Sequence, residues 1–181
     1  MLFRSLLHHS RRAARGDENG DMILLEDQNR SLWNREEISE GLELVESALR
    51  EGHAGPFALQ AAIAAIHARA ASAQQTDWPQ IVALYEILLQ VQPSPVIELN
   101  HAAAVAMAQG PAAGLLLLDA LERQSELRDY YLLPAARADL LRRLQRWPEA
   151  TAAYRQALKL TNNAAAIRFL SRRLSEVEAM S

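Results

Sequence analysis

Two segments of this chain, 69 residues apart, are written in one pattern. Trp78-Pro79-Gln80-Ile81-Val82-Ala83-Leu84-Tyr85 and Trp147-Pro148-Glu149-Ala150-Thr151-Ala152-Ala153-Tyr154 share Trp, Pro, Ala and Tyr in register, and Leu89 matches Leu158. Between them Pro111 opens a third segment, Gly110-Pro111-Ala112-Ala113-Gly114-Leu115-Leu116-Leu117, at steps of 32 and 37 residues from the other two prolines. A period near 34 residues is that of a tetratricopeptide unit, in which two antiparallel helices stack on their neighbours. Each segment then repeats a spacing of four and three: Ile81, Tyr85, Leu88; Ala113, Leu117, Ala120; Ala150, Tyr154, Ala157. On a helix these positions share a face, where small residues permit close approach and the large one fills the gap between units. Proline in a first turn costs little, because the amide it lacks has no partner inside the helix.

The expected architecture is therefore all-α: three helix pairs at about 56–93, 94–127 and 130–162, closed by a capping helix at 163–178. First helices are expected at Phe57–Ala71, Val96–Ala108 and Tyr131–Leu144. Trp78, Pro79, Tyr85, Pro111, Leu117, Trp147, Pro148 and Tyr154 define the repeats, and the Trp and Tyr residues among them are expected in the core rather than against a ligand. Residues 1–54 form a helical linker region. There a basic-ended helix is expected over 2–15. Asn34 and Glu37 make a capping box for a helix over 35–50, whose apolar face is Ile38, Leu42, Val45 and Leu49, ended by Gly52 and Gly55. Composition agrees. The chain holds 33 alanines and 29 leucines among 181 residues with 6% aromatics, which favours helices over a sheet protein.

Charge is unevenly spread. The net of −3 hides a segment, 16–127, with 17 acidic and 5 basic residues, followed by 128–181 with 10 basic and 5 acidic. Such a distribution predicts solvated helix faces and contacts between the acidic middle and the basic end. With pI ≈ 6.0, direct nucleic-acid contact is not expected. No apolar run approaches a membrane span, and the opening residues lack the pattern of a signal peptide, so a cytoplasmic protein without membrane contact is expected. The absence of cysteine excludes disulfides and thiol chemistry and fits a reducing compartment.

Chemistry-bearing motifs are sparse. Asp17-Glu18-Asn19-Gly20-Asp21 starts like a calcium loop, but its sixth and twelfth positions are Met22 and Gln28 instead of Gly and Glu. Glu98 and His101 form a single Glu-x-x-His pair without the second that a di-iron bundle needs. Glu40, Glu43 and Glu46 form a row of carboxylates on the solvated side of their helix, and His67, in an alanine-rich helix, reads as a satisfied interior histidine. No catalytic residue, metal site or cofactor is expected, and a metal-dependent enzyme is the weakest reading. The first helices of such an array line a concave face that grips a peptide or partner helix. The candidate groove residues are Gln60, His67, Asn100, Arg137 and Asp139.

Five stretches carry a more specific resemblance. They are Leu-Leu-Glu-Asp-Gln-Asn-Arg-Ser-Leu-Trp at 24–33, Gly-Pro-Phe-Ala-Leu-Gln-Ala-Ala-Ile-Ala-Ala-Ile-His-Ala at 55–68, Thr-Asp-Trp-Pro-Gln-Ile-Val-Ala-Leu-Tyr at 76–85, Pro-Ser-Pro-Val-Ile-Glu-Leu-Asn-His-Ala-Ala-Ala-Val-Ala at 93–106 and Ala-Ala-Arg-Ala-Asp-Leu-Leu-Arg-Arg-Leu at 135–144. Together they resemble, over essentially the whole chain, the C-terminal extension of bacterial extracytoplasmic-function sigma factors that end in tetratricopeptide-like repeats. The resemblance implies a regulatory interaction module in transcription initiation. Implied partners are the sigma domains of the same full-length protein, core RNA polymerase, or a small YCII-related protein of the DGPF-motif type. The promoter-reading domains are not in this chain, which starts inside the linker region, so DNA reading and polymerase binding are not assigned to its residues. A free-standing repeat adaptor unrelated to transcription is the alternative.

Overall fold

The computed structural model describes residues 2–18, 20–50, 55–124 and 126–180, with residues 2–4 described by their backbone alone. Among the described residues the protein is all-helical, with an isolated bridge between Gly16 and Met22 as its only sheet-like pairing. Gly52 and Asn19, singled out above, lie outside the described residues. The chain divides into two compact units, Met1–Pro93 and Ser94–Ser181.

In the first unit, α1 (Leu2–His9), α2 (Arg35–Arg50) and α4 (Trp78–Val91) all pack on α3 (Pro56–Arg69). A helix covered on several sides must be apolar nearly all round. That is how α3 is written, with Ala58, Leu59, Ala61, Ala62, Ile63, Ala65 and Ala68 all buried. Helix α1 stops six residues short of the expected end. Buried Ser10 turns its hydroxyl to donate to the Leu7 carbonyl, and its own carbonyl accepts the Asn34 amide at 2.9 Å. The chain continues as a short 3₁₀ turn, Arg12–Ala14, instead of a helix. Asp17–Asp21 then closes on itself: Asp17 Oδ1 accepts the Asp21 amide at 2.8 Å, and Gly20 takes the positive φ of 75° that the turn requires. Asn34 caps α2 as expected, accepting the Glu36 and Glu37 amides. The Glu37 carboxylate does not return the favour; it faces His9 Nδ1 at 3.0 Å. The inward face of α2 is Ile38, Gly41 and Val45, whereas Leu49, placed on it from periodicity, is 40% exposed. The packed stripe is thus one turn shorter than its sequence pattern.

The second unit is a run of helices each packed on the next: α5 (Pro95–Gln109), α6 (Pro111–Leu121), α7 (Leu132–Arg143), α8 (Trp147–Lys159) and α9 (Ala164–Glu178). α5 also touches α7, so the first helices of two successive pairs lie side by side. Proline stands in the first turn of α4, α6 and α8, as the repeat pattern requires. Gly110 alone joins α5 to α6, with φ 100°, a backbone that L side chains rarely adopt. At Gly114 a Cβ would stand 2.5 Å from Ala106 Cβ and 2.7 Å from the Ala102 carbonyl oxygen. The α5–α6 pair therefore closes to a distance that excludes even a methyl group. α7 ends in a Schellman motif: Arg146 N–H donates to Leu141 O, Gln145 N–H to Arg142 O, and Gln145 sits at φ 59°. α9 covers the end of the array with Leu170 and Val177 buried. No helix among the described residues is long and apolar enough to cross a membrane.

Two substitutions test this packing by urea unfolding. Gly114→Ala is expected to lose about 1–3 kcal/mol despite alanine's better helix propensity, because the backbone it meets cannot move aside. Gln145→Gly is expected to gain up to about 1 kcal/mol by relieving the left-handed backbone at the end of α7. A stabilised Gly114→Ala variant would contradict the close approach.

Candidate functional site

The five groove candidates fall in both units. In the second unit Asn100 is exposed on α5, while Arg137 and Asp139 lie on α7. Arg137 Nε donates to Asp119 Oδ1 at 3.0 Å, and Glu122 Oε2 lies 3.5 Å away, so this guanidinium ties α7 to the end of α6. This is a contact of the acidic middle with the basic end, of the kind that the charge distribution predicts. Asp139 serves another purpose, accepting from Arg142 Nη2 and Arg143 Nε, each at 2.7 Å. The two residues share a helix but belong to separate ion pairs. Arg143 also reaches Met107 Sδ at 3.2 Å, linking α7 to α5.

Tyr154 is buried beside the Asp139 group. Burial first, and then the Asp139 carboxylate, push its phenol above the ordinary range, while Arg142 pulls the other way. Trp147 and Leu117 are partly buried against the same core. In the first unit Tyr85 is half-buried, and burial raises its phenol as well. Trp78 takes the edge of the His67 ring at 5.1 Å and 75°. Pro79 and Pro148 are exposed and Pro111 half-buried, consistent with a role in starting helices. Gln60 is half-buried on α3.

His67 departs from its expected role as a satisfied interior histidine. Its Nδ1 is buried and finds no hydrogen-bond partner among the described residues. Burial first, then Arg11, Arg30 and His8, hold its pKa down to about 4. The reason lies in the loop before α2. A 3₁₀ turn, Arg30–Leu32, delivers Trp33 into the core at 3% exposure. The Arg30 guanidinium lies 4.6 Å from the centre of that ring and the Arg11 guanidinium 5.7 Å. Both distances suit a cation–π contact. Arg30 Nη1 also donates to the carbonyls of His67 and Ala70, at 2.6 and 2.7 Å. These belong to the last turn of α3, where carbonyls lack partners and positive charge is favoured.

The cluster is positive without internal compensation. Burial, then Arg15 and Arg30, lower the Arg11 pKa to about 10, and burial followed by Arg35 lowers that of Arg30. Neither Arg11 nor Arg30 has a carboxylate partner among the described residues. Trp33 Nε1 and Gln28 Oε1 are likewise buried without partners. The surplus of positive charge favours an anion nearby, and it keeps buried His67 neutral at pH 7. Periodicity could not reveal the cluster, because 10–34 has no helical period. The usable signal was Arg30 three residues before Trp33, inside one of the stretches that carry the resemblance. Among the described residues no group of three or more His, Asp or Glu side chains is arranged to hold a metal ion.

Comparisons with known proteins take in this region and, for one relative, nearly the whole chain. Residues 4–49, which hold α1, the Trp33 loop and nearly all of α2, match a family of unknown function (DUF6596). A Rhizobium meliloti (strain 1021) protein, named uncharacterized protein R00370, is 43% identical over 174 residues. The alignment takes in 96% of this chain and 41% of the relative, so the chain spans about two-fifths of that protein's length. No solved structure matches the chain significantly.

The His67 environment makes a pH prediction. Between its ordinary pKa of 6.5 and the folded value of about 4, the unfolded chain binds a proton that the folded protein refuses. His67 therefore weakens the fold as pH drops through that window, by on the order of 3 kcal/mol in total, and has no such effect above it. His67→Gln is expected to lose less unfolding free energy than the parent between pH 7 and pH 4, so that the two curves diverge as pH falls. Parallel curves would contradict the assignment.

Proposed function

We propose that the chain is a regulatory protein-interaction module from the C-terminal part of an extracytoplasmic-function sigma factor, acting in the cytoplasm during transcription initiation. The observation that carries this reading is the resemblance of residues 24–33, 55–68, 76–85, 93–106 and 135–144 to that family's repeat extension. Four findings support it. The second unit stacks helix pairs in sequence, its first helices α5 and α7 are neighbours, and Asn100 on α5 is exposed. The relative that aligns with nearly all of this chain is more than twice as long, leaving room in that protein for further domains. The nature of an array of this kind is to hold an extended segment or helix against its first helices. The proposed partners are the sigma domains of the same polypeptide, core RNA polymerase, or a small YCII-related protein. On this reading the module does no chemistry of its own and needs no cofactor.

The test is promoter output from a full-length sigma factor carrying this chain. Ending the protein after Pro93 removes α5–α9 and is expected to change reporter output severalfold at equal protein level. Asn100→Arg, at an exposed position, is expected to shift output in the same direction with the fold retained. Unaltered output in both would contradict the proposal and favour a free-standing adaptor. So would the lack of a helix-turn-helix coding region in frame with Met1.

A further inference from the structure

The repeats leave the positive cluster of the first unit without a purpose. We propose that Arg11, Trp33 and Arg30 form a receptor for a carboxylate presented by an acidic segment of a partner protein. The donors are in place. A guanidinium offers five N–H groups. Arg30 spends only Nη1 on the α3 carbonyls, leaving Nε and Nη2, and Arg11 places its Nη2 against His8 Nδ1 at 3.2 Å. Both guanidinium groups are partly buried, where a charge-assisted pair is stronger than one in open solvent.

Fixing the two arginines beside the Trp33 ring also removes the side-chain disorder that binding would otherwise have to freeze. A second observation is independent of charge. The Trp33 indole, 97% buried by its 3% exposure, carries an N–H with no acceptor. Buried donors normally have one. The guanidinium groups stand 4.6 and 5.7 Å from the centre of the ring that carries this donor, so a carboxylate held by them would bring acceptor oxygens close to it.

Among the described residues no carboxylate is paired with Arg11 or Arg30: Glu37 faces His9, and Glu46 is paired with Arg69. The balance of the unit selects the kind of anion. Residues 1–93 carry 13 acidic and 8 basic side chains, so a long polyanion such as DNA is repelled by the surroundings far more than a short acidic segment that places one carboxylate in the local positive field. The site is in the first unit, whereas the proposed function is tested on α5–α9 of the second. Its test needs only the purified chain, so failure of either leaves the other standing.

The experiment follows the indole ¹⁵N–¹H resonance of Trp33, assigned with Trp33→Phe, during titration with a blocked tetraglutamate peptide at constant ionic strength. The expected result is a saturable shift that a tetraglutamine peptide does not produce and that Arg11→Met weakens at least tenfold. The Trp78 and Trp147 indole resonances report whether that variant stays folded. Arg11 is the informative position because Arg30 also ties down α3. Four results would overturn the proposal: an unmoved Trp33 resonance, an equal shift with tetraglutamine, undiminished binding by folded Arg11→Met, or a response to inorganic phosphate or a DNA duplex in place of tetraglutamate.

Discussion

Close approach of helices through alanine and glycine is the constraint on which this structure depends. Ala61 in α3, Ala102 in α5, Ala138 in α7 and Ala150 and Ala157 in α8 are fully buried, and Gly114 has no room for a methyl group. Small side chains at such positions bury little area each, so cohesion must come from many contacts at short range. Large residues then act as spacers. Tyr154, the largest fully buried side chain, occupies its place in α8 with its phenol beside Asp139 and Arg142. The repeat pattern in the sequence is the record of this alternation of small and large.

That is why the helices were legible and the site was not. Trp78, Trp147 and the first-turn prolines mark helix starts through local chemistry, and the positions of α4, α6 and α8 follow from them. The end of α1 was not legible, because it depends on Asn34, 24 residues from Ser10, engaging the Ser10 carbonyl. Leu49 shows the converse: its spacing is helical, but none of the described residues packs on that turn enough to bury it. Periodicity records which face can be buried and is silent on where the neighbour stops.

The groove candidates divide along the same line. Polar residues on first helices are easy to find, yet Arg137 turns to Asp119 and Glu122, and Asp139 to Arg142 and Arg143. Those choices depend on which carboxylates the adjoining turns supply. The cluster of Arg11, Arg30, Trp33 and His67 comes from three separated stretches and from a loop without period. Only the folded chain brings together cations whose mutual repulsion and burial lower the pKa of Arg11 and His67. The carboxylate-rich surroundings in sequence, Glu26 and Asp27 beside Arg30, point the other way.

On the proposed reading, the helix pairs of the second unit and the N-terminal loop of the first each offer a surface to a partner protein. The most direct measurement is calorimetric titration of the 181-residue chain with the separately expressed promoter-reading region of a full-length sigma factor that carries it, alone and bound to core RNA polymerase. The account predicts saturable binding to at least one of the two, weakened when the chain ends after Pro93. Absence of binding to both, by a chain whose helical content is intact, would contradict it.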